Sequence, residues 1–381
     1  MEHRKAVCTV IAKNYIAHAR TMVRGFHRYH PRYACYVLIV DEFEGYVTPA
    51  EEDFEIISLD QIELPNQRSM CFKYNVTELC TATKPFFLDH LLRDARVEQL
   101  LYIDPDILIT NSLDELYRLL DHFDIVLTPH AECDYPDDGR LPDDTSMMQT
   151  GLFNLGFLGL RASSNTRTFL EWWKKKVYRK CLVQFELGLF VDQKFMDLAL
   201  LWFDGIHVER GSGYNVAYWN LHSRDVRFQD GIWTCNGGPL YFFHFSGYRP
   251  DNPTRLTTHV REELCRYRLD EEPEVRAIFR EYAHELRESN YFETQGWPYT
   301  FASFVNGKKI PDAYRRLYRE SLEEMEPYGD PFSSEALERR LRWRHRLSGR
   351  QGVVLWLASR AYRHIPGLKP VLRRMMGAPA S

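Results

Sequence analysis

Short, wholly apolar runs alternate with amphipathic stretches along the N-terminal half of the chain. Ala6 to Ala12 (AVCTVIA), Cys35 to Asp41 (CYVLIVD) and Phe54 to Leu59 read as buried strands. A helix is expected over Tyr15 to Tyr29, with Asn14 at its N-cap position. A helical region is expected from Cys71 to Arg93, in which Thr83-Lys84-Pro85 marks a break or a fresh start. Leu100-Leu-Tyr-Ile103 forms a further strand, which ends on Asp104-Pro105-Asp106. A helix over Leu113 to His122 and a strand over Asp124 to Thr128 follow. Strands without polar alternation, separated by helices, predict a parallel sheet covered on both faces. The fold class is therefore α/β, and ligands on such sheets bind at the C-terminal ends of the strands.

The middle of the chain changes character. His130 to Gln149 is acidic and Pro-rich and reads as a long loop, either a lid or a solvated segment. Gly151 to Arg161 resumes as a strand whose glycines permit close backbone approach. A helix carrying Trp172 and Trp173 follows, then Phe190 to Met196 opening another, and a turn-like, amide-rich Gly211 to Asn220. Pro239 to Phe245 (PLYFFHF) is a last strand, which delivers His244, Gly247 and Arg249. Beyond Asn252 the pattern is helical and charged. From Arg339 to Arg374 there are many Arg and Lys, no Asp or Glu, and interleaved Trp, Tyr and Val, followed by Met375-Met376, as in a basic helix lying on a membrane surface. Docking on the protein, a protein interface and an RNA-binding tail are the competing readings of that segment. The expected division is 1–250, 251–338 and 339–381.

Composition narrows the chemistry. A net charge of −4 over 381 residues gives no global basic field, so no nucleic-acid partner is expected. Eight cysteines without a Cys-x-x-Cys pair argue for reduced thiols and against a zinc cage. The apolar run near the N-terminus is too short for a signal segment, and no stretch is long enough to span a bilayer. No Gly-x-Gly-x-x-Gly or Walker loop appears. In Asp104-Pro105-Asp106 the proline favours an extended backbone before it, which puts the two carboxylates on one side. Carboxylates so placed repel unless a cation joins them, and Mg²⁺ or Mn²⁺ suits such oxygen ligands. Alone, the pair is equally what a solvated turn looks like.

Four landmarks in order resolve that ambiguity: Asp104-Pro105-Asp106, Asn154-Leu155-Gly156, Asp192-Gln193 and His244-x-x-Gly247. Together they resemble the Asp-x-Asp, Asn-Ala-Gly, Asp-Gln-Asp and His-x-x-Gly-x-x-Lys elements of GT-A nucleotide-sugar glycosyltransferases. The resemblance is to the retaining family 8 type and related bacterial transferases, over roughly residues 6–250. It implies a Rossmann-like, mostly parallel central sheet with helices on both faces and a helical C-terminal extension. It implies Mn²⁺, or Mg²⁺, on Asp104, Asp106 and His244. Donor contacts are implied for Asn14, Lys84, Asp104, Asn154, Gly156, Gly247 and Arg249, and catalytic roles for Gln193 and Asp192. The partners implied are a nucleoside diphosphate sugar, UDP-sugar favoured, and a saccharide, lipid-linked or protein acceptor. An anionic membrane surface is expected through residues 339–376, with a cytoplasmic location and peripheral association at the inner face of the cell membrane. Two positions depart from the pattern: Lys194 stands where the third acidic residue belongs, and Arg249-Pro250 replaces the later Lys. A sugar nucleotidyltransferase and an inactive carbohydrate-binding relative are the alternatives. The first lacks its Gly-rich triphosphate loop, and the intact Asp104, Asp106 and His244 weigh against the second.

Overall fold

The computed structural model describes residues 5–94 and 96–348. They form two compact units, one taking in the chain up to Gln67 and Val76–Phe301, the other Arg68–Asn75 and the chain from Ala302. In the first unit the strands β1 (Lys5–Ile11), β2 (Ala34–Ile39), β3 (Glu55–Ser58), β4 (Gln99–Ile103), β6 (Ile125–Pro129) and β7 (Phe153–Arg161) join Ile206–Val208 in a seven-stranded sheet. A separate short strand, β5 (Ile107–Ile109), lies between β4 and β6 in the chain but outside that sheet. From the edge at Ile206–Val208 the order is β6, β7, β4, β1, β2, β3. This is the expected α/β architecture, a mostly parallel sheet with a helical C-terminal part.

The lack of polar alternation has its reason in burial on both faces. Val7, Ile11, Val37, Ile39, Leu101 and Ile103 pack in one core with Ala19, Met22, Val23 and Phe26 of helix α1 (Ile16–Tyr29). The intervening Ala6, Cys8, Val10, Leu38, Leu100 and Tyr102 are buried as well. One strand departs from the all-parallel expectation. β7 runs antiparallel to both β4 and β6, and the expected 130–149 loop before it is partly helical, ending in the short helix Asp144–Thr150 capped by Asp143.

Two boundaries differ from the sequence pattern. The expected break at Thr83-Lys84-Pro85 falls instead at residues 74–75, between helix α2 (Gln67–Lys73) and helix α3 (Val76–Arg93), and Pro85 lies within α3. Burial of Phe86, Phe87, Leu88 and Leu91 holds α3 together despite the missing N–H. Asn14 does not cap α1. It lies in a 3-10 turn, Lys13–Tyr15, and neither that turn nor α1 has a side-chain cap.

In the second unit Phe72 packs against Tyr318 and Phe332, with ring centroids 4.8 and 5.3 Å apart. Arg315 donates to the carbonyls of Phe72 and Tyr74 at 2.7 and 2.9 Å. The helix Glu335–Ser348 buries Leu337 and Leu341, so the start of the expected tail is part of this unit. The rest of that tail, 349–381, lies outside the described residues, and with it most of the surface expected to meet a membrane. No helix among the described residues is long and apolar enough to cross a membrane.

At the ends of β1 and β2, Lys13 and Asp41 form a buried ion pair of 2.9 Å, with side chains 2% and 0% exposed. Asp41 also accepts the Lys13 backbone N–H at 2.8 Å. Asp41→Ala would leave the ammonium buried without its partner, and the expected loss is about 3–5 kcal/mol in urea unfolding. A loss below about 1 kcal/mol would mean that water replaces the carboxylate.

Candidate active site

The sheet and a second, smaller one meet at Asp104-Pro105-Asp106. Pro105 has no N–H to continue a ladder, so β4 ends and the chain turns into β5. β5 pairs antiparallel with Phe242–His244, which in turn pairs with Val216–Ala217. The register sets His244 opposite Ile107, beside Asp106. Two backbone bonds pin the corner: Asp104 N–H donates to Gly156 O and Phe245 N–H to Asp106 O, both at 2.8 Å.

Three side chains converge there. His244 Nε2 lies 3.1 Å from Asp106 Oδ1 and 3.9 Å from Asp104 Oδ2. One donor atom from each of Asp104, Asp106 and His244 falls within 4.8 Å of the others, a spacing that a single ion can bridge. Burial disfavours a charged His244, but the neighbouring Asp106 carboxylate outweighs it and raises the imidazole pKa. Burial pushes Asp106 up, yet His244 brings it below the usual carboxylate range. On the far side of the ring, Nδ1 faces Asn215 Oδ1 at 3.3 Å. The Asn215 amide is itself spent on Thr128 Oγ1 and Asn154 Oδ1, at 2.9 and 3.1 Å. That chain keeps Nδ1 protonated, so Nε2 carries a second proton to Asp106 when the ring is charged and would offer its lone pair only to a cation standing between them. Gly156 is required here, because a Cβ would sit 2.4 Å from His244 Cε1. Two carboxylates and an oriented imidazole nitrogen fit a divalent cation in donor type and spacing.

Lys84 ties this corner to Asp192. Its ammonium lies 3.4 Å from Asp104 Oδ1 and 3.2 Å from Asp192 Oδ2, and donates to Leu155 O at 3.0 Å. Burial opposes the charge on Lys84, but Asp104 and Asp192 together hold its pKa above the ordinary value. Asp192 is raised as well, chiefly by its own burial, although Lys84 opposes the shift. Lys84 is thus a clamp between carboxylates as well as a wall of the cavity.

That cavity, of about 540 Å³, opens beside the corner and is lined by Asn14, Lys84, Asp104, Asp106, Gly247 and Arg249 among others. Arg249 pairs with Asp251 at 3.2 Å and stays exposed. Gly247 adopts φ +73°, and a Cβ there would meet Thr257 Oγ1 at 2.6 Å. Five residues singled out from the sequence do not line this cavity: Asn154, Gly156, Asp192, Gln193 and His244, the last standing behind Asp106. Asn154 and Gly156 support His244 from behind. Gln193 is buried and donates to Thr150 O at 2.9 Å. Lys194 pairs with Asp197 at 2.8 Å, so its charge is neutralised one helical turn away. The sequence reading missed Tyr15, His18, Tyr248, His259 and Tyr291, all on the cavity wall. Tyr15 stacks on His18 with centroids 4.3 Å apart, a pair at i, i+3 that helix spacing alone could have revealed.

No protein-family model matches the chain. It is 26% identical over 318 residues to the uncharacterized protein YfnD of Bacillus subtilis (strain 168), which takes in 80% of this chain and 96% of that one. Among solved structures it superposes on the galactosyltransferase LgtC, in complex with donor and acceptor sugar analogs. There the TM-score is 0.43 and the identity 16%, over 74% of this chain and 99% of that one. It also superposes on the glycosyltransferase GlyE of Streptococcus pneumoniae TIGR4 with a TM-score of 0.42 and 15% identity, over 79% and 67% of the two chains.

Two buried histidines make stability depend on pH. Burial lowers His18 and His130 from 6.5 to about 4. Between those values the unfolded chain binds more protons than the folded one, so stability is present above about pH 6.5 and falls as the pH drops towards 4. The expected loss is about 3 kcal/mol per histidine across that window. In urea unfolding at pH 7 and 4.5, His130→Gln should show a smaller pH difference than the parent. An identical difference would show that His130 does not carry the effect.

Proposed function

We propose that the protein is a metal-dependent glycosyltransferase. It would move a sugar from a nucleoside diphosphate sugar, UDP-sugar favoured, to a glycan, lipid-linked or protein acceptor with retention. The observation that carries this reading is the convergence of Asp104, Asp106 and His244, the two carboxylates lining a cavity of about 540 Å³. That volume is within the range of small-molecule sites. The order of the four sequence landmarks supports the same reading.

Breaking a glycosidic bond to a diphosphate leaves an anion behind, so the main task is to stabilise negative charge. A unit charge pair at ~4 Å is worth about 1 kcal/mol in water and about 4 at an effective dielectric near 20. Asp104, Asp106 and His244 Nε2 would hold Mn²⁺ or Mg²⁺, whose chemistry when bound is to neutralise the departing diphosphate. Arg249 offers a planar fork to phosphate oxygens, and Gly247 lets the backbone approach them. Lys84 keeps Asp104 and Asp192 together without repulsion. Asp192 would position a sugar or acceptor hydroxyl, and the Gln193 amide would stand by the reacting face without forming a covalent bond. Transfer would then occur on the front face, with a diphosphate oxygen taking the acceptor's proton.

In a panel of UDP-, GDP- and CDP-sugars with Mn²⁺, slow hydrolysis of one donor is expected, abolished by chelation. Asp106→Asn should lower it by about 10²–10³-fold with the fold unchanged by circular dichroism. Full activity in that variant would remove the metal from the reading, and formation of an activated sugar from a nucleoside triphosphate would replace it with a nucleotidyltransferase.

For location, we propose a cytoplasmic enzyme held peripherally at the inner membrane face by its basic tail. Deleting residues 349–381, which spares the buried Leu337 and Leu341, should release the protein from anionic vesicles in a sedimentation assay. Equal binding by the shortened chain would defeat the anchor.

A further inference from the structure

The helix Pro273–Glu288 places three arginines on one face with no carboxylate among the described residues to pair them. Arg276, Arg280 and Arg287 stand at i, i+4 and i+11, a spacing that returns to nearly the same helix direction. Ala283, at i+7, lies among them on the same face. Three of the four acidic residues of the same helix are committed elsewhere, and the fourth, Glu288, makes no ion pair with the arginines. Glu274 accepts Phe228 N–H, Glu281 accepts the Trp233 indole N–H at 2.8 Å, and Glu285 pairs with Arg24 at 3.1 Å. No carboxylate among the described residues lies within ion-pair distance of the three arginines.

These arginines line a second cavity, of about 440 Å³, together with Phe279, Tyr248 and Thr254. Its one acidic wall residue, Asp270, is already held by Arg268 at 3.2 Å. Three like charges kept on one helix face repel, so an arrangement that leaves them unpaired is suited to an anion from outside. Planar guanidinium groups converging on a concave wall match oxyanions of phosphate type. Tyr248 lines this cavity and the candidate active-site cavity alike, and it follows Gly247 directly. One ring is therefore the partition between the two.

We propose that the second cavity binds a phosphate or diphosphate group and holds that group of the acceptor beside the transfer site. The role rests on the glycosyltransferase reading; the binding does not, and it is tested without turnover. Isothermal titration with inorganic pyrophosphate, in chelator and without metal, should show binding to the full chain. The triple variant R276Q/R280Q/R287Q should weaken it at least about tenfold, and R280Q alone several-fold, as loss of charge-assisted contacts implies. R249Q, which alters the candidate active-site cavity, should leave it within about twofold. In the same titration a short-chain polyprenyl diphosphate that binds more tightly than pyrophosphate assigns the group to a lipid carrier, and equal affinity assigns it to a soluble phosphate. Absence of pyrophosphate binding, an unchanged affinity in a folded triple variant, or a loss confined to R249Q would overturn the proposal.

Discussion

An excess of negative charge in one corner is the constraint on which the site depends. Asp104 and Asp192 share a single buried ammonium, Lys84, while Asp106 faces His244. With the imidazole neutral, the corner holds three carboxylates and one ammonium and is two charges short of balance. Part of the strain shows in the groups themselves: Asp192 is driven up by its burial, and His244 is raised by Asp106 against its own burial. A divalent cation on Asp104 and Asp106 would supply the missing charge, and it would let Nε2 of His244 act as a ligand instead of a proton carrier.

The fold makes this corner by ending one sheet and beginning another. Pro105 stops β4, and the register of β5 against Phe242–His244 brings a histidine from far along the chain to within 3.1 Å of Asp106. β7, the antiparallel member of the main sheet, contributes Gly156, whose lack of a side chain leaves room for the imidazole. Asn215 then orients the ring from behind. The cation site is therefore a product of strand order, and a shift of one residue in any of the three pairings would disperse its ligands.

Much of this was legible in the chain. β1, β2 and β4 show as apolar runs because both of their faces are buried, and Asp104, Asp106 and His244 stand at the strand ends where the pattern put them. The orientation of β7 was not legible, since a buried antiparallel strand carries the same residues as a parallel one. Pro85 misled for a related reason: local propensity marks a break, but the burial of Phe86 and Phe87 overrides it. Asn14 looked like a cap and instead lines the cavity. Lys84 was expected to contact the donor, and the structure places its ammonium between two carboxylates. A clamp of that kind depends on Asp192, more than a hundred positions away, and no local pattern announces it. The cavity wall is distributed in the same way, with Tyr15 from the 3-10 turn stacked on His18 of α1, and His18 meeting Tyr291 only in the folded chain.

The central claim is that one cation is gripped jointly by the two carboxylates and the imidazole. Pulsed electron paramagnetic resonance of Mn²⁺ titrated into the full-length protein tests it most directly, because it counts bound ions and detects a directly coordinated histidine nitrogen. The account predicts one tight ion per chain with a nitrogen modulation that disappears in His244→Gln. A bound ion without that modulation, or the same modulation in the variant, would contradict it.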